Sequence, residues 1–197
     1  TLVYNQLDQV VRILAPTPYS WFEDTLYDAN NNVIEERKQN LVPALTANGK
    51  PQLDASGNVV METGTPAAFV NRYEYEILNY RVTEDLDATG STPDRLVTRY
   101  EYDGNRNLMQ VTQPEGNQLE ILYDERDLMF STTRGFGSPD ASTVTYIYDG
   151  NRNRVSVIDA EDTTGDGLPE VSRFEYDGYN RLVRTVDTFV HVCEYPY

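Results

Sequence analysis

The sequence predicts an all-β protein, an array of short β-hairpins laid side by side with no single core. Three observations carry this. A nine-residue phrase recurs, as RYEYDGNRN at 99–107, TYIYDGNRN at 145–153 and, altered, RFEYDGYNR at 173–181. Tyr outnumbers the other aromatics, 15 against 6 Phe and 1 Trp, and with Val and Thr it favours strands. Asp, Asn and Gly return at regular intervals, the residue types that build turns.

Aligned on the Tyr of the phrase, the repeat has anchors at Tyr4, Tyr27, Tyr75, Tyr102, Tyr123, Tyr148 and Tyr176, with Leu53 in the Tyr place between the second and third. Spacings of 21 to 28 residues are those of a repeat with connecting loops of variable length. Residues alternate with period two before each anchor. The position two before it (Leu2, Thr25, Pro51, Tyr73, Tyr100, Ile121, Tyr146, Phe174) shares its strand face. The other face carries opposed charges, as in Arg72/Glu74, Arg99/Glu101 and Arg173/Glu175. About six residues after the anchor an aliphatic residue (Val10, Val33, Val59, Leu108, Val155, Leu182) opens the second strand.

Between the strands lies a turn opened by Asp28, Asp54, Asp103, Asp124, Asp149 or Asp177. A carboxylate there accepts from backbone N–H groups two residues on. The fourth residue after the anchor is Asp8, Asn31, Gly57, Asn79, Arg106, Asp127, Arg152 or Asn180. Six of these are Gly, Asn or Asp, which tolerate positive φ. At the two Arg exceptions the turn is expected to shift, because Gly and Asn stand one or two places earlier. Regular recurrence makes these Tyr-Asp pairs structural, since a catalytic group needs to be written once. The array is assigned to residues 1–187, with 188–197 as a tail of uncertain role. The turn-rich stretch 46–66 is expected to be a loose surface excursion.

The copies YDANNNV, LDASGNV and YDGYNRL resemble the YD repeat of the Rhs family. That family's pattern is Tyr-Asp, two variable residues, Gly, a polar residue, then Leu or Val. Asn5 and Glu76 replace the Asp, Leu53 replaces the Tyr, and Gly57 alone keeps the Gly. The resemblance implies a β-sheet spiralling into a hollow shell, which encloses a C-terminal toxin in Rhs effectors and Tc-complex C subunits. Related shells act in cell adhesion in teneurins. No Asp-Pro dipeptide of the kind that closes the Rhs core occurs here.

Acidic residues number 32 against 16 basic, a formal charge of −16. This argues against a nucleic-acid partner, which draws on positive surface. Lys38 and Lys50 are the only lysines, and an acidic, lysine-poor surface suits an extracellular or saline setting. No run is long enough for membrane insertion and no signal sequence opens the chain. It begins at Thr1 without Met, as an excised piece of a longer protein would. Cys193, the only cysteine, reads as a small partly buried hydrophobe rather than a reactive thiol.

The sharpest local candidate for a ligand is DAEDTTGDGLPE at 159–170. Asp162, Thr164, Asp166 and Glu170, with Gly167, follow the alternating-oxygen layout of calcium loops. Thr stands at position three and Arg173 at position twelve, so a plain acidic hairpin loop is the competing reading. His191 is the only histidine, which excludes a multi-histidine metal centre. No constellation supports an enzyme, and no cofactor is required.

The function expected is structural: the β-sheet wall of a secreted or cell-surface shell that encloses or presents toxin-like cargo. Its partners would be the rest of the same shell, or other copies of itself, and an enclosed toxin domain. The alternatives are an extracellular adhesin or glycan-binding module, stiffened by calcium in a loop, or a self-assembling extracellular structural protein.

Overall fold

The computed structural model describes residues 1–16, 21–89, 95–160, 168–189 and 191–196. They form fifteen strands and no helix, so the chain is all-β. The chain divides into two units, Thr1–Arg99 and Tyr100–Tyr197. The first holds β1 (Leu2–Tyr4), β2 (Val10–Leu14), β3 (Phe22–Tyr27), β4 (Val33–Pro43), β5 (Met61–Tyr75), β6 (Arg81–Leu86) and the opening residues of β7 (Leu96–Tyr102). Each pairs antiparallel with the next. The second unit holds the end of β7, then β8 (Leu108–Thr112), β9 (Gln118–Tyr123), β10 (Met129–Arg134), β11 (Ser142–Tyr148), β12 (Arg154–Asp159), β13 (Glu170–Tyr176), β14 (Leu182–Val186) and β15 (Val192–Glu194). From β8 onward these too pair antiparallel in chain order.

One turn generates this topology. In each copy the N–H of the residue after the anchor donates to the carbonyl four residues on, as Asp149 does to Asn153 at 2.9 Å. The residue between them at position four closes a second bond, Arg152 N–H to the Asp149 carbonyl at 3.2 Å. The anchor then opposes the residue six places later across a bulge: Tyr4 with Val10, Tyr27 with Val33, Tyr75 with Arg81, Tyr123 with Met129, Tyr148 with Arg154, Tyr176 with Leu182. A type I turn followed by one left-handed residue has this geometry, and its twist matches that of the flanking strands.

The left-handed position is occupied by Asp8, Asn31, Gly57, Asn79, Arg106, Asp127, Arg152 and Asn180, with φ from 58° at Asp8 to 83° at Gly57. The turn therefore does not shift at the arginines, contrary to the expectation from sequence: Arg106 stands at φ 73° and Arg152 at 70°. Left-handed backbone costs a residue with a Cβ about 1 kcal/mol. The frame holds because the preceding Asp clamps two N–H groups of the same turn. The same backbone turn also serves residues 46–50 and 113–117, with Gly49 and Gly116 at the left-handed place.

The copy around Leu53 stands apart from the ladder. β4 pairs directly with β5, from Glu35↔Arg72 to Pro43↔Met61. Residues 44–60 are therefore carried at the far end of that long pair rather than between the two strands. They are not a loose excursion: turns at 46–50 and 54–58 fold back on each other, and Ala44, Gln52 and Val60 exchange backbone bonds of 2.8 Å. Leu45 and Leu53 remain well exposed.

Neither unit has a compact core. Among the described residues only Ala44, Val70 and Ile121 are buried hydrophobics, and no side chain is fully buried. Strands contact their chain neighbours, and among the described residues no strand packs face to face on another within a unit. Opposed charges pair across strands, Arg72 with Glu35 at 2.9 Å and Arg184 with Glu175 at 2.6 Å, and also along them, Arg37 with Glu35 at 3.1 Å and Arg81 with Glu84 at 3.3 Å. Opposed residues on neighbouring strands and residues two apart on one strand both lie within reach of a long arginine side chain. The 188–197 tail supplies β15, paired with β14 as Thr185↔Cys193. Cys193 is exposed there, not partly buried, because β15 is a three-residue strand with no side chains over it.

Since the 44–60 finger adds nothing to the ladder, replacing residues 45–59 by an Asn-Gly turn should leave the fold intact. Thermal unfolding is expected to shift by no more than about 1 kcal/mol, as for surface changes. Loss of cooperative melting would show that the finger is integral.

Candidate functional site

Three sets of contacts recur from copy to copy, and they are the chemistry this chain repeats. The first is inside the turn. Asp149 Oδ1 accepts from the N–H groups of Asn151 at 2.9 Å and Asn153 at 2.8 Å, while Oδ2 accepts from Asn153 Nδ2 at 2.9 Å. Asp28, Asp54 and Asp103 do the same, residue for residue. Asp124 and Asp177 take an arginine, Arg126 or Arg181, in the side-chain role. Asn5 shows that the charge is dispensable, since its Oδ1 accepts from Leu7 and Gln9 N–H at 2.9 and 3.0 Å.

These bonds lower the carboxyl pKa values. At Asp28, Asp103 and Asp149 the largest cause is the carboxamide of Asn32, Asn107 or Asn153. At Asp54 and Asp177 it is the backbone N–H of Asn58 or Arg181. At Asp124 burial is the largest influence and raises the pKa, yet Leu128 N–H and Arg126 together keep it lowered.

The second set links successive copies through the anchors. The hydroxyl makes the link: Tyr27 donates to the carbonyl of Val10 at 3.1 Å, Tyr123 to Leu108 at 3.2 Å, Tyr148 to Met129 at 3.0 Å and Tyr176 to Arg154 at 3.1 Å. Each acceptor is the residue six after the preceding anchor. Leu53 has no hydroxyl to give. Burial raises the phenol pKa of Tyr123 and Tyr148.

The third set was not read from sequence. Asn side chains three and five places after an anchor converge on the left-handed residue of the next turn. Asn30 and Asn32 donate to Asn79 Oδ1 at 3.1 and 2.9 Å. Asn105 and Asn107 donate to Asp127 at 2.9 Å each, and Asn151 and Asn153 to Asn180 at 3.1 and 2.9 Å. The signal was present as Asp-x-Asn-x-Asn at 28–32, 103–107 and 149–153.

Arginines add to the anchor face where sequence led to an aliphatic residue. Arg154 lies over Tyr146 at 5.8 Å and Phe174 at 5.3 Å, and Arg81 over Tyr73 at 5.6 Å. Tyr73 donates to Glu36 at 2.8 Å; its burial, and then that carboxylate, push its pKa to about 12.

No reactive constellation emerges among these groups. His191 bonds the Asp187 carboxylate at 2.9 Å on an exposed turn. Asp162, Thr164 and Asp166 of the candidate calcium loop lie outside the described residues, while Glu170 opens β13 opposite Asp159. Among the described residues no three His, Cys, Asp or Glu side chains converge as metal ligands would.

An antiparallel array whose junctions are rebuilt copy by copy from the same three contacts is a β-hairpin repeat protein. Residues 81–118 match the RHS Repeat family model, and that stretch covers β6, β8 and the turn between β7 and β8. Its fold is similar to the TcdB2-TccC3-Cdc42 crystal structure, with a TM-score of 0.52 at 14% identity over 92% of this chain. It is similar also to the Tc holotoxin pore of Photorhabdus luminescens, with a TM-score of 0.51 at 15% identity over 90% of this chain. The chain spans only 11% and 9% of those two chains' length, and at this identity the likeness concerns the fold. A comparison with curated protein sequences finds no match.

Two outcomes follow. Tyr148→Phe, which deletes only the hydroxyl, should cost about 1 kcal/mol in denaturant unfolding. A cost equal to that of Phe130→Leu, an exposed position, would count against the hydroxyl link. Acid should also unfold the array. The turn carboxyls are lowered by folding, so the stability they supply is complete above the ordinary Asp value near about 4. It is lost as pH falls through their lowered folded values. Melting temperature followed from pH 7 to 2 should fall steeply below about 4, and Asp149→Asn should be tolerated better than Asp149→Ala. A flat profile would contradict the clamp.

Proposed function

We propose that this chain is a wall segment of a secreted or cell-surface Rhs-type shell that encloses or presents a toxin-like cargo. The observation that carries this is the junction between copies. Tyr hydroxyl and Asn carboxamide contacts are made between neighbours and repeat along the chain, so the array extends by adding units rather than by closing a core. In this reading the chain performs no reaction of its own and requires no cofactor. Its partners are the remainder of the same shell, or other copies, and the enclosed cargo. The fold likeness to Tc toxin structures supports it, as does the charge of −16, which suits an exposed surface.

The outermost strands supply the test. β1 and β15 each pair on one side only, and all their residues are exposed. Such edges present unpaired N–H and C=O groups. Size-exclusion chromatography with light scattering should show association that grows with concentration, and that salt strengthens by screening the acidic surface. A 197-residue monomer at every concentration and salt level would overturn the reading.

A further inference from the structure

We propose that the free edge of β1 recognises one class of hairpin, whose turn reads Asp-x-Asn-x-Asn. This rests on the structural reading above and names the chemistry of the neighbour. The copies fall into two classes. Those anchored at Tyr27, Tyr102 and Tyr148 carry Asn at both the third and fifth places after the anchor. Those at Tyr75, Tyr123 and Tyr176 carry no such pair, and offer a side-chain oxygen at the fourth place: Asn79, Asp127 and Asn180. Leaving aside the Leu53 finger, donor and acceptor classes alternate along the chain.

The copy at Tyr4 belongs to the acceptor class. Asp8 stands at the fourth place, left-handed at φ 58° like Asp127. Leu7 and Gln9 replace the two Asn, so this copy sends forward a single, longer carboxamide contact, Gln9 Nε2 to Asn31 Oδ1 at 3.3 Å, in place of the donor-class pair. Each of Asn79, Asp127 and Asn180 accepts two carboxamides from the donor-class turn that precedes it. The Asp8 carboxylate is exposed and accepts none among the described residues. Tyr4 tells the same story independently. Four other anchors donate their hydroxyl to the copy before them. Among the described residues Tyr75 makes no such bond yet is half-buried, whereas Tyr4 is 51% exposed and its hydroxyl is unbonded.

One donor-class hairpin satisfies all of these groups together. Its second strand pairs with β1, the carbonyl six places after its anchor accepts from Tyr4, and its two Asn side chains donate to Asp8. An acceptor-class hairpin would pair with β1 but bring no carboxamide. A second copy docked by its last anchored hairpin is disfavoured for that reason: Tyr179 and Arg181 occupy the two Asn places, and Arg181 is already held by Asp177.

The test joins a further hairpin ahead of Thr1 in the full chain through a short Gly-Ser loop. One fusion copies the donor-class residues 142–159, the other the acceptor-class residues 170–187. The donor-class fusion should raise the melting temperature by roughly 5 °C or more, from several added hydrogen bonds, and the acceptor-class fusion by clearly less. Asp8→Gly keeps the left-handed backbone but removes the acceptor, so it should erase the difference between the fusions. Asp8→Asn should preserve it, as Asn79 and Asn180 do the same task. Each variant is compared with its unfused counterpart, which isolates the coupling. Equal gains from both fusions, or a difference that survives Asp8→Gly, would overturn carboxamide recognition and leave the wall reading standing. No gain from either would overturn both.

Discussion

The structure depends on one constraint, the five-residue turn that Asp or its substitute holds closed. A hairpin register is set by its turn, and a slip of one residue would move every side chain to the opposite face. Here the carboxylate fixes two backbone N–H groups, so the bulge falls at the anchor and the Tyr ring always lies on the same face. From that placement follow the hydroxyl link to the copy before and the position of the carboxamides facing the next turn. Asn5 closes its turn in the same way without charge, and at Glu76 the turn closes through backbone bonds alone, Glu76 N–H to Tyr80 at 2.9 Å. The constraint is geometric before it is electrostatic.

A ladder without a core must find its stability between neighbours. Partial burial of Tyr, Val and Ile on a single layer supplies less than packing against a second layer would. The chain compensates with contacts that need only the adjacent strand: cross-strand ion pairs, Arg154 between two rings, and hydroxyl-to-carbonyl bonds. Exposed ion pairs contribute little singly. Their arrangement still matters in a chain this acidic, because like charges directly opposed, as Asp159 and Glu170 are at the end of the β12–β13 pair, weaken pairing. Cooperativity in such an array is set by the nearest-neighbour junction.

The junctions come in two kinds, and this accounts for the near-identity of the phrases at 99–107 and 145–153. Both belong to donor-class copies, and both carry Arg at the left-handed place. At Arg106 and Arg152 the fourth residue has no oxygen to offer, whereas Asn31 in the remaining donor-class turn accepts from Gln9 Nε2 at 3.3 Å. The phrase at 173–181 differs where an acceptor-class copy must differ, with Asn180 in the oxygen-bearing position. Arg126 spans the other kind of junction, donating to the Asp149 carbonyl at 2.8 Å.

Much of this was legible from the residues. Period-two alternation and the Asp spacing determine strands, turns and the shared face of Tyr146 and Tyr148, because those are local properties of one hairpin. Departures came where neighbours decide. Arg106 and Arg152 keep the turn that their side chains disfavour, since the Asp clamp outweighs a local preference. The copy at Leu53 satisfies the turn pattern, yet β4 and β5 pair past it. A motif can specify its own turn but not whether its strands find partners in the ladder. The carboxamide acceptors lay equally beyond sequence, because Asn151 and Asn180 are far apart in the chain and meet only when one hairpin is laid against the next. By itself the sequence determined the unit, through backbone chemistry confined to a few residues. Tertiary structure alone decided which units adjoin, because that depends on hydrogen bonds between groups that only the assembled ladder brings within reach.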